Sequence, residues 1–249
     1  MSAGIKANND GSAAIQVGGS DYIEISAAGA VAIPGTLTVG GIPAGGNYVL
    51  ESYVAPGIWD ATTKIAAGLK AIKVTVVGAG GDGGPVVVQP VNITGAAGGG
   101  GSGGAAIEYI PAPSIPGPVA VTAGPGTNSF GPFCSATAGA AGTTAPGSPT
   151  VFNSVTTGGA GGAGSGGNLN ITGQPGGFGA ISPSMSGNGG SSILGGGANS
   201  VQRPSNGASN GLAGQDYGGG GSGASRVSTT SGATGGAGAP GVVIVEEFY

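Results

Sequence analysis

Gly78, Gly80 and Gly83, in the stretch KVTVVGAGGDGGPVVV from Lys73 to Val88, stand at the Gly-x-Gly-x-x-Gly spacing of a phosphate-cradling turn that follows a β-branched run. Such a turn works only if a helix follows, because the helix N-terminus supplies the amides and the dipole that hold pyrophosphate. Here Gly84 is followed by PVVVQPVNITG, whose prolines Pro85 and Pro90 and three consecutive valines break any helix. The acidic partner expected about 20 residues further on is also missing, since Glu108 falls in a different strand beyond another glycine run. The residues around the motif therefore speak against a dinucleotide site.

Other candidate chemistry is sparse. Cys134 is the one cysteine and the chain has no histidine to activate it, so it reads as a small core residue and excludes an internal disulfide. The carboxylates Asp10, Asp21, Glu24, Glu51, Asp60, Asp82, Glu108 and Asp216 are scattered, while Glu246 and Glu247 are neighbours in a strand and point to opposite faces. This reads as a chain with no enzymatic activity, no metal cluster and no cofactor; only carboxylates paired across the fold, as in a polysaccharide-cleaving spike, are left open.

The partners are bounded by charge and hydropathy. A net charge of −4, with Lys6, Lys64, Lys70, Lys73, Arg203 and Arg226 dispersed, offers no basic stripe for nucleic acid. No stretch approaches the roughly 18 apolar residues of a membrane span, so no membrane insertion is expected. The start MSAGIKANNDG lacks a signal-peptide pattern, which with the lone cysteine implies folding in a reducing cytoplasm.

The elements that must position any site are dominated by glycine, 61 of 249 residues, with 17 prolines beside it. Glycine recurs by threes at 78, 81 and 84; at 95, 98, 101 and 104; at 158, 161, 164 and 167; at 173, 176 and 179; and at 232, 235, 238 and 241. Three residues per turn is the period of the left-handed polyproline II helix, which has no internal hydrogen bonds and so offers its N–H and C=O groups sideways. With one face bare, such helices can approach closely and bond to one another, which satisfies the buried backbone. A collagen-like repeat would have to be continuous, whereas these runs stop and resume out of phase. A flexible glycine linker is opposed by the phase within each run and the strands on both flanks.

The expected fold class is mainly β with little or no α-helix: a short-stranded N-terminal attachment or shaft segment over 1–46, then a glycine-rich domain over 47–249. Within that domain the β scaffold is assigned to 47–78, 105–123 and 241–249, with four apolar strand segments at 72–78, 105–111, 117–123 and 241–248. Polyglycine II runs and loops fill 78–104 and 124–241. Trp59 reads as core, among Val49, Tyr53 and Val54. In the first segment Val31 and Ile33 alternate, then Leu37 and Val39, around a Pro34-Gly35 turn.

Between the glycine runs lie the segments PVVVQPVNIT, TTAPGSPTVFNSVTT, NLNIT, AISPSMS, ANSVQRPSN and ASRVSTTS. They would link successive helices at the ends of the bundle, and loops on a rigid scaffold are common binding sites. The candidate receptor-binding residues are Phe152, Met185, Gln202, Arg203 and Arg226.

The order IKVTVVGAGGDGG, GGGGSGGAAIEYI, TNSFG, GGNLNITG, GGSSILGGG, YGGGGSGAS and GAGAPGVVIVEEFY resembles the glycine-rich C-terminal domain of tailed-bacteriophage tail fibres and receptor-binding adhesins, over about residues 47 to 249. SDYIEISAAGAVAIPGTLTVGG resembles the short β repeats at the attachment end of such fibres. The resemblance implies a virion tail protein, a homotrimer held by other tail proteins at its N-terminal end, whose loops contact an outer-surface protein or glycan of a bacterial host. It leaves open a fibre tip or a separately mounted adhesin. The alternative is a purely structural virion component of tail, baseplate or decoration type; an ice-binding bundle is opposed by the irregular, bulky loops.

Overall fold

The computed structural model describes residues 48–249 apart from 90–91, 146–154, 182–183 and 204, together with the backbone of six short strands within residues 1–47. The chain separates into two compact units, Met1–Asn47 and Tyr48–Tyr249. In the first, β1 (Ala3–Ala7), β2 (Ala13–Val17), β3 (Ser20–Ile25) and β4 (Val31–Ala32) form an antiparallel sheet in chain order, and β5 (Thr38–Val39) pairs with β6 (Ile42–Pro43). The Pro34-Gly35 turn lies outside the described residues.

The second unit is mainly β with one short helix. It opens with β7 (Tyr48–Tyr53), β8 (Gly57–Trp59), α1 (Ala61–Ala66) and β9 (Ala71–Val77). Then follow β10 (Ile93–Ala96), β11 (Ala105–Pro111), β12 (Val119–Thr122), β13 (Asn128–Phe130), β14 (Cys134–Ala136) and β15 (Val155–Thr156). The remaining strands are β16 (Gly164–Ser165), β17 (Leu169–Ile171), β18 (Gly179–Ala180), β19 (Gly207–Ser209), β20 (Ser225–Thr229) and β21 (Val242–Phe248).

Two five-stranded sheets make the scaffold, in the orders β17-β11-β9-β21-β7 and β16-β14-β13-β12-β8, all antiparallel. The β-branched sequences AIKVTVV and VVIVEEF supply the two central strands of the first sheet, as side chains that pack well on a pleated surface should. Between the sheets lies a core of Trp59, Ile72, Val74, Val76, Phe130 and Val245, all fully buried; the Trp59 and Phe130 rings meet edge to face at 5.7 Å. Trp59 is thus core as expected, but Val49 and Val54 are exposed and only Tyr53 packs against that cluster.

The scaffold takes in more chain than the sequence reading assigned to it. Strands β13, β14, β16 and β17 fall inside 124–241, the region given to glycine runs and loops, yet they complete both sheets. The cause is local alternation too short to read alone: Asn128 and Phe130 are buried around Ser129, and Cys134 and Ala136 around Ser135.

Glycine builds the rest. Along residues 97–104 the backbone bonds in steps of three. Gly98, Gly101 and Gly104 donate to Thr143, Ala140 and Thr137; Ala97, Gly100 and Gly103 donate to Ala224, Gly221 and Gly218; Gly99 and Ser102 donate to Gly177 and Gln174, all at 2.8–3.1 Å. Its carbonyls accept in the same rhythm, from Gly84, Gly81 and Gly78, from Gly159 and Gly162, and from Gly187 and Gly190. Six segments therefore surround one buried run, and each of its amides has a backbone partner.

Glycine is needed here for space and not for backbone angle: Cβ atoms on Gly81, Gly83, Gly98 and Gly101 would overlap the carbonyl oxygens of Ala140, Ser222, Thr157 and Ala160, and none of the four has a positive φ. At the polyproline II rise of about 3.1 Å per residue, the six steps from Gly78 to Gly84 would span about 19 Å.

Candidate binding surface at the far end of the lattice

Where the glycine runs end, away from the scaffold sheets, the intervening segments fold onto one another. Strands β10, β20 and β19 form a three-stranded sheet there, and β15 pairs with β18. Isolated bridges extend this second pair: Val155 lies opposite Ala180, Ala180 opposite Met185, and Met185 opposite Gln202. Residues directly opposite each other in antiparallel pairs project to the same side. Val155, Ala180, Met185 and Gln202 therefore form one row across four chain segments, roughly 14 Å long at strand spacing.

Each place in the row is fixed by polar groups beneath it. In Ser184-Met185-Ser186 both serines are buried while Met185 is 40% exposed. The Ser184 hydroxyl donates to the Arg226 carbonyl at 3.0 Å, and the Ser186 hydroxyl accepts from the Val201 amide at 2.9 Å. At the other end Thr156 is buried; its hydroxyl donates to the Ala96 carbonyl at 2.8 Å and accepts from the Gly179 amide at 3.2 Å. The row is thus tied directly to the central run. Within the row Val155 is 60% exposed, and Phe178, two residues before Ala180 in the chain, is 64% exposed, with glycine on both sides of it. The surface offers apolar, thioether and amide groups without charge, a set suited to adhesion by contact.

The structure brings Met185 and Gln202 together in this row, with Arg203 adjoining through its amide, which donates to the Ser184 carbonyl at 3.2 Å. The Arg203 side chain turns away, its Nη1 and Nη2 each 3.5 Å from an acceptor, on Ser209 and Asn206. Phe152 lies outside the described residues. Arg226 corrects the sequence reading: it is fully buried, its Nη1 donating to the Val87 carbonyl, because β20 runs inside the far-end sheet between β10 and β19. It is no exposed contact residue.

Val155, Ala180 and Phe178 were not among the candidates. Only Phe178 carried a legible signal, since an aromatic inside GGFG is far too large for a lattice that admits small side chains at some positions and not even a Cβ at many others. The scaffold has its own charged cluster. Glu247 is fully buried and accepts from Trp59 Nε1 at 2.7 Å and from the Tyr249 hydroxyl at 2.8 Å, and it pairs with Lys64 at 2.5 Å. Lys64 also bridges to Glu51. Burial pushes the Lys64 ammonium down, but the hydrogen bonds and charges of Glu247 and Glu51 outweigh it and hold it above the usual lysine value. Every group in this cluster is satisfied by another, as in an anchor for the closing strand.

Among the described residues no three His, Cys, Asp or Glu side chains converge, and no helix is long and apolar enough to cross a membrane. A scan against protein-family models finds no match for the chain, and a search of the curated proteins finds no similar sequence.

Proposed function

We propose that the protein is a bacteriophage tail-fibre or tail-tip adhesin, without catalytic activity, that recognises a bacterial surface protein or glycan through the far end of its glycine lattice. The observation that carries this reading is the row Val155, Ala180, Met185 and Gln202, exposed at the end of a lattice whose amides are bonded in three directions. Rigid display lowers the entropy cost of binding, which lets a small neutral surface hold a partner. In this reading the first unit joins the chain to other tail proteins, and the assembly is a homotrimer.

One observation favours the structural virion component instead. On the outer face of the first scaffold sheet, Leu50, Glu246, Lys73 and Tyr109 stand in one cross-strand row and the tilted rings of Tyr48 and Phe248 lie 5.8 Å apart, leaving large apolar side chains exposed. Such a face suits burial against another subunit.

Binding of the labelled full-length protein to a panel of intact bacterial strains separates the two. Saturable binding to some strains, lost in a Met185→Ala/Gln202→Ala variant and kept in Leu169→Ser at the scaffold end, is the expected outcome. A folded sample that binds no strain puts the structural component ahead.

A further inference from the structure

The run over residues 78–86 presents its amides in three directions, one for each residue of the repeat. Gly78, Gly81 and Gly84 donate to the central run at Gly104, Gly101 and Gly98, while Gly80, Gly83 and Val86 donate to Ala239, Gly236 and Ala233. The third direction belongs to Ala79, Asp82 and Pro85. Ala79 donates to the Gly126 carbonyl at 3.1 Å and Pro85 has no N–H, but the amide of the exposed Asp82 has no acceptor among the described residues.

A trench of about 530 Å³ opens at this place, lined by Asp82, by Gly139 and Ala141 of the run 137–145, and by Gly238 of the run 233–241, with Gly126 at its Ala79 end. The run 137–145 has a complementary shortfall. Its amides at Gly139, Gly142 and Ala145 donate to Ala79, Asp82 and Pro85, and its carbonyls at Thr137, Ala140 and Thr143 accept from Gly104, Gly101 and Gly98. The carbonyls of Gly139 and Gly142 accept from no donor among the described residues. A free donor on one run and free acceptors on the next thus flank a space beside the lattice, and the Gly126 carbonyl fills it only at its first step. None of the residues lining the trench adjoins an undescribed one in the chain.

We propose that this trench binds an extended, glycine-rich and basic segment of another protein, which joins the lattice as one more left-handed run. Such a segment offers its C=O and N–H groups sideways with a period of three, so it can accept from the Asp82 amide and donate to the Gly139 and Gly142 carbonyls. Glycine is demanded at every third residue for the reason it is demanded inside the lattice, where a Cβ on Gly81 or Gly84 would overlap the Ala140 or Thr143 carbonyl. The basic character follows from Asp82, the one charged residue lining the trench. Its Oδ1 accepts from the Gly238 amide at 2.8 Å, and its Oδ2 has no partner among the described residues and can take a lysine or arginine of the segment. The trench is separate from the far-end row and serves this role whether or not that row binds a bacterial surface.

The test titrates full-length protein into a fluorescein-labelled nonapeptide of three Gly-Pro-Lys repeats, read by anisotropy, beside the matched Ala-Pro-Lys and Gly-Pro-Glu peptides. Saturable binding of the first, weaker by about tenfold or more for the other two, is expected. Ala141→Trp, at an exposed position lining the trench, should abolish binding, and Ala160→Trp, exposed on a run that does not line it, should leave binding intact. Asp82→Asn, which keeps an oxygen for the Gly238 amide, should erase the preference for lysine over glutamate. No saturable binding by the folded wild-type protein overturns the proposal, as does equal binding of the Ala-Pro-Lys peptide or undiminished binding by a folded Ala141→Trp. Self-association that Ala141→Trp abolishes, without peptide binding, overturns it in favour of a second copy, and Ala141-dependent binding of a neutral dextran fragment alone overturns it in favour of a glycan. The wild-type measurement with the three peptides decides even if the variants fail to fold.

Discussion

The amide of Gly100 donates to the carbonyl of Gly221 at 2.8 Å, while the side of Gly100 that would carry a Cβ lies against the carbonyl of Gly81. One residue is thus both a hydrogen-bond donor to one neighbour and the space that admits another. Gly100→Ala should destabilise the second unit by about 3 kcal/mol or more, because the packed backbone at Gly81 and Asp82 must shift. Gly117 has open space around it and no positive φ, so Gly117→Ala should be neutral or stabilising by up to about 1 kcal/mol. Urea midpoints followed by Trp59 fluorescence compare the two; equal effects would contradict a close-packed lattice.

Adjacent glutamates should behave differently. Glu247 is buried and accepts from Trp59 and Tyr249, whereas Glu246 is a partly exposed partner of Lys73 at 2.8 Å. Glu247→Ala should cost about 3–5 kcal/mol, since it leaves the buried Trp59 indole N–H without its acceptor and Lys64 with Glu51 as its one remaining ion-pair partner. Glu246→Ala should cost less than about 1 kcal/mol. The same denaturation measurement checks both.

Alkaline pH should loosen the scaffold. Burial, aided by the charge of Glu108, pushes the Cys134 thiol up to about 12; burial and the hydrogen bond to Glu51 push Tyr53 up to about 12; Lys64 is raised as well. The folded state holds these protons more tightly than the unfolded state, so their contribution is whole below the unfolded thiol value near 9. It is lost as pH rises from there through about 12. Thermal midpoints measured from pH 7 to 12 should be flat and then fall, with the earliest part of the fall reduced in Cys134→Ala. Cys134 should also resist thiol-alkylating reagents at neutral pH until the protein unfolds.

Thr156 should couple stability to recognition. Thr156→Val removes the bond to the Ala96 carbonyl and leaves the Gly179 amide without its acceptor, which should cost about 1–3 kcal/mol. Under the proposed adhesin function it should also weaken binding to bacterial strains although Met185 and Gln202 are untouched. Thr157→Val, at an exposed position, should stay within about 0.5 kcal/mol and bind normally.

The period of three was legible because glycines such as Gly81, Gly84, Gly98 and Gly101 answer the same steric demand, and the long strands Ala71–Val77, Ala105–Pro111 and Val242–Phe248 were legible because β-branched runs specify them. Met185 and Gln202 stood out in the sequence as distinctive side chains among small residues. The row itself was not legible, because the bridges that align Val155, Ala180, Met185 and Gln202 join positions far apart in sequence and depend on where each glycine run ends. Arg226 misled for a related reason: a cation in a polar loop sequence reads as exposed, and nothing local reveals that β10 and β19 close over it. The scaffold strands of three residues or fewer carry too few side chains for an alternation to stand out.

The strand Val242–Phe248 lies between Ala71–Val77 and Tyr48–Tyr53 and is the only link between them in that sheet. During synthesis, therefore, Tyr48–Tyr53 waits unpaired in this sheet while nearly 190 residues are added, and the lattice runs emerge before the platform that anchors them is closed. Folding of this unit is a late, concerted event, and the nascent chain is most exposed to misassembly and proteolysis in the interval before Phe248 is made.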